Sequence, residues 1–141
     1  MKVLSYAPLL PAIFLALISL NWIFNPEAAA SSLGLIISDP VEKNTLIRDF
    51  TAFFLGTSIF CFLGFITKRP EWFFASAIIF LIALLFNVLA NIFHDASFVL
   101  ETFIVELILA LACFLSGKYT NRVSGGSVSY THLTLPTIHR V

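Results

Sequence analysis

The sequence predicts an all-α membrane protein, an up-down-up-down four-helix transmembrane bundle. Composition is the first ground. Of 141 residues, 59% are hydrophobic and 11% are charged, against about 45–50% and about 25% in ordinary soluble domains. Sixteen charged side chains (eight basic, eight acidic) cannot form the polar skin of a soluble domain this size, and sixteen phenylalanines are hard to hide in so small a core. The second ground is arrangement. The apolar residues fall into four runs of about 20 residues, the length that crosses a hydrocarbon core of roughly 30 Å. The third is the shortness of the turns between later runs, which makes consecutive helices antiparallel neighbours.

The first run, Val3 to Phe24, predicts a helix over about 3–24. Pro8 and Pro11 lie near its start, where a first helical turn tolerates proline and a membrane helix absorbs a kink. Trp22 falls at its far end, where an amphipathic ring favours the membrane interface. A rival reading takes Lys2, the apolar stretch and Ala28-Ala29-Ala30 as a cleavable signal peptide. Against it, the run exceeds the usual 7–15 residue signal core, and Pro26 and Glu27 crowd the cleavage site.

Residues 25–39 form the longest loop, with Asn25-Pro26 as a turn or helix start and Leu33, Leu35, Ile36 and Ile37 able to lie along the membrane surface. The second helix has a sharp start. Asp39-Pro40-Val41-Glu42 supplies a cap, a proline at the first helical position and a capping-box acid, so the helix is expected over 40–67. Thr67-Lys68-Arg69-Pro70 is a tight basic turn. Pro70 opens a third helix over 70–93, with Glu71 suited to its first turn and Trp72 at an interface. After the turn His94-Asp95-Ala96-Ser97, the fourth helix is expected over 97–117, with Gly117 as its stop.

The transmembrane domain is thus expected over 1–122. The remainder, 123–141, changes character abruptly. Gly125-Gly126 precedes a polar stretch, 127–138, too polar to span and too short to fold alone. It resembles translated sequencing adapter, which implies a natural C-terminus near Ser124; the other reading is a disordered tail. On either reading it is set aside from functional reasoning.

Several function classes are excluded. A net charge of zero gives no basic field to hold nucleic acid. Cys61 and Cys113 lie inside apolar runs with no CxxC or Cys/His spacing, so they read as small buried hydrophobes rather than metal ligands. No nucleophile elbow, phosphate loop or HExxH sequence is present. No catalytic residue, metal or cofactor is therefore assigned.

Polar side chains within spans are the candidates for function. Glu106, near the middle of the fourth helix, shares a stripe with Thr102, Ala110, Cys113 and Gly117. Small residues mark close helix packing, so Glu106 is expected to face the interior. An ionised carboxylate there needs a partner. Glu101 lies on another face, nearer the helix start. The third helix supplies Asn87, Asn91 and His94, the second Arg48 and Asp49, and the first Asn21. Helices one and three carry their polar groups late, and helices two and four carry theirs early. The eight residues Asn21, Arg48, Asp49, Asn87, Asn91, His94, Glu101 and Glu106 are therefore expected to cluster at one depth. Arg48 is the natural counter-charge for Glu106 or Asp49. The bland alternative is that these groups are interhelical glue or an ion pair fixing register.

Lys2, Lys68, Arg69, Lys118 and Arg122 fall on one side, and Lys43, Arg48 and most acids on the other. Positively charged flanks stay inside, so both termini are expected in the cytoplasm and the cluster on the outer side.

Trp22-x-x-Asn25-Pro26-Glu27, the Leu33-Gly34 loop, Arg48-Asp49 followed by Phe53-Phe54-Leu55-Gly56, the basic turn and a late Glu in the fourth helix together resemble a bacterial family of four-helix membrane proteins catalogued as a domain of unknown function. The likeness covers residues 1–120. It implies a multi-pass protein of the bacterial cytoplasmic membrane and carries no activity or cofactor with it. The expected partners are the lipid bilayer and a small amphiphilic ligand or membrane protein. A membrane enzyme acting on a lipid-soluble substrate, with His94 and Glu106 as proton donor and acceptor, is the second reading. A structural subunit of a membrane complex is the third.

Overall fold

The computed structural model describes the backbone of residues 2–140 and the side chains of residues 3–124. It is helical throughout, with no strand among the described residues: α1 (Lys2–Ser5), α2 (Leu9–Phe24), α3 (Pro26–Ser32), α4 (Pro40–Thr67), α5 (Pro70–His94) and α6 (Leu100–Arg140).

The start of α4 is built as its sequence dictates. Asp39 is extended, and its carboxylate accepts the backbone N–H of Glu42 at 2.8 Å. That bond serves one of the donors a helix start leaves bare, and the Glu42 carboxylate reaches back one residue beyond the cap, to the N–H and hydroxyl of Ser38. Lys43 then bridges to Glu27 at 2.7 Å and ties α3 to this end of α4. At the other end, Lys68 takes a left-handed conformation (φ 60°) and Pro70 opens α5, which turns the chain within two residues.

Three expectations about elements need correction. The first apolar run is not one α-helix over 3–24, because over residues 6–8, at Pro8, the α-helical ladder gives way to turns bonded three residues apart. A ring with no N–H removes a ladder hydrogen bond there and divides α1 from α2. The loop after it is helical over Pro26–Ser32 and meets α2 at a bend of 120°. Asn25 is the corner, and Pro26 supplies the preset φ of a first helical position. The fourth helix begins at Leu100 rather than 97 and does not stop at Gly117. Gly117 has no positive φ of the kind a helix stop uses. Its missing side chain is a notch filled by Phe74: a Cβ there would sit 2.6 Å from that ring. The expected tail lies, from residue 125 on, outside the residues whose side chains are described.

The packing order follows the chain. α2 rests on α4, α4 on α5 and α5 on α6, while α2 and α6 barely touch. Tyr6 meets Phe65, Ser58 bonds the Ala12 carbonyl and Trp22 stacks on Phe50, so α2 and α4 run in opposite directions. Phe53 against Phe80 and Phe60 against Trp72 give the same for α4 and α5. Trp22 is therefore buried (2% exposed) rather than an interfacial anchor, since its ring has the flat face of Phe50 to cover it at 4.6 Å and 4°.

Beside the buried rings of Trp22, Phe73 and Phe80, small and weakly polar groups join the helices at the centre. Ser58 donates to Ala12 at 2.7 Å, and Ser76 donates to the Thr57 carbonyl at 3.0 Å. Cys61 lies 3.6 Å from the Ser76 hydroxyl and 3.7 Å, sulfur to sulfur, from Cys113. Small side chains let membrane helices approach closely, and hydroxyls supply bonds across the contact. Large apolar residues instead face outward, among them Leu10, Phe14, Leu17, Ile78, Leu81, Leu85, Ile108 and Leu115.

Three helices, Pro40–Thr67, Pro70–His94 and Leu100–Ser124, are long and apolar enough to cross a membrane, and the bent pair α2–α3 makes up to four. Only 22–28% of each long span's most apolar window is buried. The rest is apolar surface that water would penalise at about 25 cal/mol per Å². This is the surface of a multi-pass helical membrane protein.

Candidate functional site

Because α2 and α6 barely meet, the seam between them is open at the end away from the basic turn. A cavity of about 360 Å³ fills that gap. Phe14, Ile18, Asn21 and Trp22 of α2 form one wall, and Phe50, Phe53 and Phe54 of α4 form the back. Ala29 and Ser32 of α3, with Leu33, close one end. Glu101, Thr102, Val105 and Glu106 of α6 form the wall opposite α2. The 120° bend is what brings α3 over the cavity, since a straight continuation would carry Ala29 and Ser32 away from α4.

The aromatic wall is rigid. Phe50, Phe53 and Phe54 stand at i, i+3 and i+4 on one face of α4. Phe53 meets Phe54 edge to face at 5.0 Å and Phe80 of α5 at 5.2 Å. These edge-on contacts hold Phe53 and Phe54, and Phe50 stacks on Trp22 and Phe54.

Of the eight residues expected to cluster, Asn21, Glu101 and Glu106 line this cavity. Glu106 is half-buried and Glu101 exposed. The other five are elsewhere. Arg48 bonds Asp49 at 3.1 Å and Asn44 at 3.0 Å along its own helix, with both partners of the ion pair more than 60% exposed. Of the two carboxylates expected as its counter-charge, it takes Asp49, and Glu106 keeps no basic neighbour. The ion pairs among the described residues are Lys43–Glu27, Arg48–Asp49 and Arg69–Glu71. Asn87 pairs with both backbone groups of Val99, accepting from its N–H at 3.3 Å and donating to its carbonyl at 3.1 Å. Asn91 donates to the Ala96 carbonyl at 2.8 Å. These two amides sew the non-helical stretch before α6 to α5, where unwound backbone needs partners in a membrane. His94 is exposed on the last turn of α5.

Sequence reasoning passed over the aromatic wall and Ser32. The signal for the wall was present in the Phe50, Phe53, Phe54 spacing, but an aromatic stripe on an apolar helix reads first as core. It also took Cys61 and Cys113 as separate buried residues. Both are fully buried, as expected, and they touch. No group of three or more potential metal ligands occurs among the described residues.

The cavity offers an apolar, aromatic body, with an amide from α2, a hydroxyl from α3, and carboxylates and a hydroxyl from α6. No family model, no curated protein and no solved structure matches this chain.

Proposed function

We propose that the protein is a four-span, up-down-up-down bundle of the bacterial cytoplasmic membrane that binds a small amphiphile in the seam between α2 and α6. The distribution of lysine and arginine supports a cytoplasmic position for both termini. The cavity then opens toward the outer side, and a ligand reaches it from the lipid rather than from water.

The observation that carries this reading is the cavity itself. Its aromatic wall takes an apolar chain, and Asn21, Thr102, Glu101 and Glu106 give a polar head a fixed place. Pockets for small molecules combine these two features. Acid–base catalysis by His94 and Glu106 would need both on one cavity, and only Glu106 lines it.

Trp22 reports occupancy. In a Trp72→Phe background it is the sole tryptophan, and at 2% exposure it is shielded from surrounding detergent. A brominated neutral alkyl detergent quenches tryptophan only on close approach. The expected result is saturable quenching of Trp22 that Val105→Phe, which fills the cavity, reduces severalfold. Quenching that is absent, or that Val105→Phe leaves unchanged, would overturn the proposal.

A further inference from the structure

We infer that the occupant of the α2–α6 cavity is a single-chain cationic amphiphile, an alkylamine or alkyl quaternary ammonium. The inference rests on the binding reading above and adds the charge of the ligand.

Two carboxylates, Glu101 and Glu106, line the cavity, and no lysine, arginine or histidine does. The nearby basic residues of α4 are committed elsewhere, Arg48 to Asp49 and Asn44 on its exposed side and Lys43 to Glu27 of α3. A carboxylate facing an apolar cavity is costly without a positive partner. The chain supplies none to Glu106, so a ligand that brings one gains most. The opposite wall suits the same ligand. The faces of aromatic rings attract cations, most strongly when water is excluded. Trp22, Phe50, Phe53 and Phe54 line the space that the two carboxylates border, with one face each of Trp22 and Phe50 taken up by their mutual stack.

The same features reject other amphiphiles. An anionic head meets two carboxylates. A zwitterionic phospholipid brings a phosphate that no basic residue on the cavity wall receives. Its two chains also exceed a space of about 360 Å³, which is at the small end of ligand pockets.

The test is displacement of the brominated detergent from the full chain, read by recovery of Trp22 fluorescence in the Trp72→Phe background. Four competitors of equal chain length are compared at low mole fraction in neutral micelles: dodecyltrimethylammonium, a dodecyl polyoxyethylene ether, dodecylphosphocholine and dodecanesulfonate. The cation is expected to displace at a concentration at least tenfold below the neutral ether. Glu106→Gln is expected to bring the two within about twofold. If Glu106→Gln fails to fold, Glu101→Gln, at an exposed position, is expected to narrow the gap between cation and ether by a smaller factor. Equal displacement by cation and ether, or tighter binding of the zwitterion or the anion, overturns the cationic assignment and leaves the pocket reading intact. Displacement by none of the four overturns both.

Discussion

At the scale of single residues, the hydroxyl and thiol groups at the centre decide how close the helices come. Ser58 is fully buried, and its bond to the Ala12 carbonyl is a direct polar link between α2 and α4. That carbonyl also lies inside a helix, where the backbone ladder already serves it, so removing the hydroxyl leaves no orphaned acceptor. Ser58→Ala is therefore expected to cost about 0.6 kcal/mol, the average for an interhelical hydrogen bond in a membrane. Thermal unfolding in detergent checks this, and a loss several times larger would mean that the hydroxyl does more than join two helices. The Cys61–Cys113 contact was not legible in the sequence. Nothing in spacing fixes which residues of two helices far apart in the chain share a level, and small apolar positions all look alike.

At the scale of elements, start signals carried most of the information. Asp39-Pro40 and Arg69-Pro70 were readable because proline at a first helical position acts locally, as does the Asp39 carboxylate before Pro40, whatever the rest of the chain does. Pro8 was not readable in the same way. A proline near the start of an apolar run fits an intact first turn as well as a break, and the difference lies in tertiary packing. Gly117 misled for a related reason: glycine ends helices and also admits rings, and here it admits Phe74. Gly64 of α4 plays the same part for Phe73, with a Cβ placed 2.7 Å from the ring and 3.2 Å from the Trp72 Cβ. Phe73 is fully buried and has nowhere to move, whereas Phe74 is only partly buried. Gly64→Ala is thus expected to destabilise by about 1–3 kcal/mol through overpacking, and Gly117→Ala by less. Melting temperatures of the two variants test the order, and a larger loss at Gly117 would contradict it.

At the scale of the whole molecule, direction around each helix was not readable. Matching early and late positions placed eight polar residues at one level. Each residue turns a helix by about 100°, however, and that rotation sends Arg48 and Asp49 outward while Asn21, Glu101 and Glu106 border the open seam. The seam depends on which helices fail to pack, and no local pattern encodes a missing contact. Sidedness rests on charge alone and is tested by reporter fusions. A periplasm-only reporter is expected to be active when joined after Asp95 and inactive when joined after Lys118, and the reverse would invert the molecule. The unequal lengths of the helices have a further effect on the surrounding lipid. At 1.5 Å per residue, α4 is about 42 Å long and α2 only about 24 Å, short of a hydrocarbon layer of roughly 30 Å. The first ten residues of α4 carry four charged side chains and flank its apolar stretch, so the mismatch lies at α2 and is relieved by thinning the leaflet beside it. Because α2 also forms the cavity wall, the bilayer is most deformed where a solute dissolved in it would enter.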